Sequence, residues 1–137
     1  PMFAALKRFT PLLIVLGDLI ALLLFVYIGQ RDHGLVDTEN QIQGLLWAGW
    51  AFALTWVIAA VLLRALPNAA TLSARSLLAN GLNAWLVAAP LGVLLRAYFL
   101  GRAVIPTSFL AATLGFGGLF VLGWRVLFVL LWKMAKR

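Results

Sequence analysis

The sequence predicts an all-α integral membrane protein, a four-helix bundle with antiparallel up-down-up-down topology and both termini cytoplasmic. Three observations lead there. The 137-residue chain is 64% hydrophobic, well above the ~45–50% of average soluble domains, and its mean hydropathy is +1.03. The apolar residues fall into four stretches, each near the roughly twenty residues that cross a hydrocarbon core. No stretch alternates apolar and polar residues as a membrane β-strand does, which excludes a barrel.

Each span carries its own signals. The first, residues 10–30, opens on Pro11, where a missing N–H is harmless. Lys7 and Arg8 before it look like the start of a signal peptide. The apolar run is too long, contains an acid and lacks a small-x-small cleavage site, so a retained helix is expected. The second span, residues 44–66, is rich in Trp and Ala and is followed by Pro67. The third, residues 78–100, holds Pro90 in mid-span, which is expected to kink the helix and free a carbonyl near Leu86. The fourth, residues 107–132, starts after Pro106 with Thr107 and Ser108. The short links make neighbouring helices antiparallel, and residues 1–137 read as one domain.

Charge sets the orientation. The net charge is +7, from 11 Lys and Arg against 4 Asp and Glu. The cations sit at span ends rather than in one patch, so nucleic acid is not an expected partner. Lys7, Arg8, Arg64, Arg75, Lys133, Lys136 and Arg137 fall on one side if both termini do. Arg31, Arg96 and Arg102 fall on the other, with Asp32, Asp37 and Glu39. The positive-inside rule then places both termini in the cytoplasm. Trp47 and Trp132 lie where interface anchors belong. With no cysteine, disulfides, thiolate metal sites and cysteine nucleophiles are excluded.

The fourth acid, Asp18, lies inside the first span. A carboxylate at that depth costs roughly 3 kcal/mol unless it is partnered. Arg125 sits at a similar depth in the fourth span, about 10–12 Å from the cytoplasmic end at 1.5 Å per residue. A buried Asp18–Arg125 ion pair is therefore expected, since arginine grips a carboxylate through two parallel bonds.

Small residues mark the faces where helix backbones approach in a membrane. One face of the first span carries Asp18, Phe25, Gly29 and then Asp32 or His33. Gly44, Ala48, Ala51, Thr55 and Ala59 share a face in the second span. Gly81, Ala84, Ala88, Gly92 and Arg96 do so in the third, and Ala111, Gly115, Gly118 and Arg125 in the fourth. Helix packing is expected at Gly29, Gly92, Gly115 and Gly118. Arg96 has two readings, snorkelling to headgroups or pointing into the bundle. In the second it joins Gln30, Asp32 and His33 in an outer polar mouth. Asn80 and Asn83, with Ser73 and Ser76, read as interfacial hydrogen-bonding groups.

His33 is the sole histidine. A metal site usually needs three or more ligands, so none is expected. An axial role to haem or chlorophyll needs only one, but a solvated or capping role is preferred and the cofactor stays unknown.

Gly17-Asp18, Phe25, Gly29 and His33, then Trp85, Gly92 and Arg96, then Gly123-Trp124-Arg125, together resemble an uncharacterised prokaryotic membrane family. It is catalogued as domain of unknown function 3054. The resemblance spans essentially the whole chain. It implies a small four-helix protein of the prokaryotic cytoplasmic (inner) membrane with these polar positions as its signature. It implies no activity and transfers no catalytic residue.

Two function classes compete. One is a transporter or channel for an ion or compact polar solute, with Asp18 and Arg125 as its buried polar centre. The other is a structural or accessory subunit of a larger membrane assembly, with the Trp-rich second helix docking a partner, lipid or pigment. The bilayer is the first partner in either case, and a second copy or a larger complex the next. With no Ser–His–Asp set, paired carboxylates or HExxH motif, an enzyme is not expected.

Overall fold

The computed structural model describes residues 2–32, 41–99, 101 and 107–136, with no strand among them. A short helix α1 (Met2–Arg8) leads through Phe9 into α2 (Thr10–Asp32). Helices α3 (Gln41–Leu62) and α4 (Ala74–Phe99) follow. Helix α5 (Thr107–Ala112) runs through a π-helical segment, Thr113–Gly117, into α6 (Gly118–Lys136). Four segments are long and apolar enough to cross a membrane: Thr10–Arg31, Ile42–Leu62, Ala74–Phe99 and Thr107–Lys136. The chain is thus a multi-pass helical membrane protein.

Local chemistry explains the boundaries. Thr10 is fully buried, and its hydroxyl donates back to the Leu6 and Lys7 carbonyls at 2.8 and 3.1 Å. Helix α3 stops at Leu62, short of the expected 66, in a Schellman cap. The Ala65 N–H reaches the Ala60 carbonyl at 2.8 Å and the Arg64 N–H reaches Val61 at 3.4 Å. Arg64 holds the left-handed position of that cap, with φ of 56°, where glycine is the usual occupant. Helix α4 starts ahead of the expected 78 because Ser73 caps it. The Ser73 Oγ accepts the Ser76 N–H at 3.2 Å. The helix then runs unbroken through Pro90.

The four long helices close into a ring. Helix α2 packs on α3 and α6, and α4 packs on the same two, with α3–α4 the largest interface. The interior is built from small residues: Ala51, Ala59, Ala60, Ala84, Ala88 and Ala89 are all buried. The outside is built from large ones. Leu12, Leu16, Ile20, Leu24 and Ile28 form an exposed stripe down α2. In lipid such a surface carries no hydrophobic penalty, so close backbone packing is the cohesive force.

The π segment shifts the inner face of the fourth span. A π turn adds one residue to a helical turn, which rotates the residues before it relative to those after it. Gly117, Gly118, Val121, Arg125 and Phe128 face inward, and so does Thr113, while Ala111 and Gly115 are turned out. The predicted face of Ala111, Gly115, Gly118 and Arg125 assumes an unbroken α-helix and is corrected at its first two members.

Candidate functional site

Arg125 and Asp18 have no solvent-accessible surface. The Arg125 Nε donates to Asp18 Oδ1 at 3.1 Å and Nη2 donates to Oδ2 at 2.6 Å. Nη1 donates to two backbone carbonyls, Ala65 at 2.8 Å and Leu77 at 3.0 Å. Four of the guanidinium's five N–H groups are thus engaged, and each carboxylate oxygen accepts one bond.

The partners span the whole ring. Asp18 belongs to α2, Ala65 follows the α3 cap, Leu77 lies in the first turns of α4, and Arg125 comes from α6. The α3 residue Trp56 is also fully buried, and its ring lies 5.4 Å from Arg125 Cζ, within cation–π range. The Trp56 indole N–H lies near the Asp18 carboxylate but reaches hydrogen-bonding geometry with no acceptor. One side chain therefore joins four helices, and the ion pair is only part of its work.

Glycine gives the arginine its room. A Cβ at Gly81 would lie 2.8 Å from Arg125 Cδ and 2.9 Å from Nε. A Cβ at Gly17 would overlap the indole of Trp124, whose N–H donates to the Ile14 carbonyl at 3.1 Å. A Cβ at Gly92 would lie 2.7 Å from the Phe52 ring, and one at Gly118 would lie 3.1 Å from the Trp85 ring. Gly29 and Gly115 differ from expectation, because a Cβ at either would meet nothing within 4 Å. Around Gly29 the helices are spaced by a side chain: Gln30 Nε2 donates to the Gly44 carbonyl at 3.3 Å. Gly115 is turned outward by the π segment. Gly81→Ala should accordingly destabilise the fold by about 1–3 kcal/mol, the usual cost of overpacking. Gly29→Ala should be neutral or stabilising by up to about 1 kcal/mol, because helical glycine is entropically unfavourable. Denaturant titration of the purified variants in detergent measures both.

Of the outer polar group, the structure describes the side chains of Gln30 and Arg96. Gln30 is engaged with α3, and Asp32 ends α2. Arg96 is half-buried with its Cζ 5.0 Å from the Phe109 ring centroid. His33, Asp37, Glu39 and Arg102 lie outside the described residues. Near Arg96 an open groove of about 940 Å3 is walled by Leu46, Trp47, Trp50 and Phe99. A second groove, of about 540 Å3, lies between the α3 cap and the start of α4. Neither is lined by Asp18 or Arg125. Among the described residues no three His, Cys, Asp or Glu side chains come together.

Trp85 is the other organising side chain. It is 1% exposed, and its indole N–H donates to the Leu114 carbonyl in the π segment at 3.0 Å. Its ring covers Gly117 and Gly118, so it holds the π turn against α4.

Fold and site together define a small polytopic membrane protein with a dry arginine–carboxylate centre. The chain belongs to the family described as "Protein of unknown function (DUF3054)", whose model matches residues 15–128. That range contains Asp18, Trp85 and Arg125. No curated protein and no solved structure matches the chain.

Proposed function

We propose that the chain is a structural or accessory subunit of the prokaryotic inner membrane, with no enzymatic activity of its own. In this reading it crosses the bilayer four times, antiparallel, with both termini cytoplasmic. Residue pairings support the direction of the helices. Phe3 meets Trp132 and Phe25 meets Phe120, with centroids 5.1 and 6.2 Å apart. Trp50 meets Phe99 and Trp56 meets Trp85, at 5.1 and 6.2 Å. The excess of cations at the end carrying Lys7, Arg64, Arg75 and Lys133 supports placing that end in the cytoplasm.

The observation that carries the role is the closure of the polar centre. Asp18 and Arg125 spend their bonds on each other and on backbone carbonyls, in a site without water access. A centre of this kind fixes helix positions and offers nothing to a passing solute. The apolar groove beside Trp47 and Trp50 then serves as the surface that meets a lipid or a neighbouring subunit.

A channel or transporter for an ion or compact polar solute is the second reading. The groove of about 940 Å3 at Arg96 is the observation in its favour, and the path would need a second copy to close it. Ion flux across proteoliposomes containing the purified chain separates the two. The subunit reading expects flux at the protein-free background for protons, potassium and chloride. Flux above background that is abolished in a folded Asp18→Asn variant would establish transport instead.

A further inference from the structure

The smaller groove has two kinds of wall. Arg64, Asn68 and Ser76 present polar groups, while Val61, Leu66 and Pro67 present apolar ones. Arg64 is exposed and makes no salt bridge with a described residue. Among the described residues no Asp or Glu lies at this end of the bundle. Asp18 is held by Arg125, Asp32 closes α2 at its opposite end, and Asp37 and Glu39 follow it in the sequence before α3. The cations have the reverse distribution. Lys7 and Arg8 precede α2, Arg64 follows α3, Arg75 opens α4, and Lys133 and Lys136 close α6. The Phe3–Trp132 contact and the bond from Asn80 Nδ2 to the Arg64 carbonyl, 3.2 Å, bring these helix ends together.

No described residue supplies Arg64 with a counter-charge. We infer that the groove holds the phosphate-bearing headgroup of an anionic phospholipid. Arg64 faces the phosphate, Asn68 and Ser76 lie on the polar side of the headgroup, and an acyl chain follows Val61 and Leu66 towards the hydrocarbon. Basic pockets between spans at the cytoplasmic surface are suited to such headgroups. Inorganic phosphate shares the charge but would leave the apolar wall uncovered. The inference requires only that α3 and α4 cross a bilayer and stands apart from the subunit role. It also touches the arginine centre at one remove. Ala65 sits between the lining residues Arg64 and Leu66, and Leu77 follows Ser76. These two supply the carbonyls that hold Arg125 Nη1, so an occupied groove steadies the cap on which that centre rests.

Arg64→Gly is the decisive variant, because glycine suits the left-handed cap and the change removes only the side chain. Lipid retention by the full-length chain in neutral detergent is read by native mass spectrometry, with melting temperature as a second readout. Phosphatidylglycerol should bind and raise the melting temperature, and phosphatidylcholine should do neither. Arg64→Gly should melt no lower than the wild type without lipid, yet hold phosphatidylglycerol about fivefold more weakly. That corresponds to about 1 kcal/mol for one cation near an anionic surface. Lys136→Gln should stay within twofold of the wild type. Equal retention of the two lipids, unchanged binding by Arg64→Gly, or an equal loss in Lys136→Gln would overturn the inference. So would displacement of the lipid by millimolar inorganic phosphate.

Discussion

Replacing Arg125 with methionine is expected to destabilise the folded protein by about 3–5 kcal/mol, the cost of stranding one member of a buried pair. Methionine matches the length of the arginine stem, so most of the packing volume is retained. What is lost is the set of bonds from Nε, Nη1 and Nη2. Asp18 would then lie fully buried with no cation, and the Ala65 carbonyl would lose its donor. Arg125→Lys should recover little of this, because a lysine ammonium cannot bind the carboxylate through two parallel bonds and reach two carbonyls as well. Unfolding free energies from denaturant titration in mixed micelles supply the measurement. A loss below about 1 kcal/mol in Arg125→Met would mean that the arginine is not structurally central.

Trp85→Ala should cost about as much, roughly 3–5 kcal/mol, for a different reason. The indole fills the space between α4 and the π segment, and its ring centroid lies 6.2 Å from that of Trp56, with the two planes tilted at 53°. Alanine would leave a cavity lined by Gly117 and Gly118, neither of which has a side chain to refill it. It would also remove the donor to the Leu114 carbonyl. Trp85→Phe divides these contributions, since it keeps most of the apolar volume and loses only the N–H. It should cost about 0.5–1.5 kcal/mol, the net worth of one hydrogen bond, because the Leu114 carbonyl still accepts the Gly118 N–H. The same unfolding measurement applies, and equal losses in the two variants would show that the hydrogen bond, not the packing, dominates.

Much of this was legible in the sequence where the signal was compositional or pairwise. An acid inside an apolar span demands a partner, and one arginine lies at matching depth, so spacing along the two spans alone pairs Asp18 with Arg125. The small-residue stripe of Gly81, Ala84, Ala88 and Gly92 identified the inner face of α4, all four of which are buried. Other features had weaker signals. The Ser73-to-Ser76 spacing signals a helix start, but the apolar run beginning near 78 is the stronger pattern and concealed it. The carbonyls of Ala65 and Leu77 could not be anticipated, because a backbone acceptor leaves no mark on residue identity. The π segment was invisible for a similar reason. Its sequence, Thr113 to Gly117, reads as ordinary helix, and only the packing of Trp85 against Gly117 shows why an extra residue is accommodated there. That one-residue shift separates Gly118, which packs, from Gly115, which does not.

Asp18 and Arg125 act as one architectural unit, and a double-mutant cycle on unfolding free energy is the sharpest test of that coupling. The cycle compares Asp18→Leu, Arg125→Met and the two combined. Each single variant leaves a buried charge without its partner, whereas the double variant removes both charges together. The double variant should be at least about 2 kcal/mol more stable than Arg125→Met alone. Losses that simply add, within about 0.5 kcal/mol as for independent sites, would contradict the coupling.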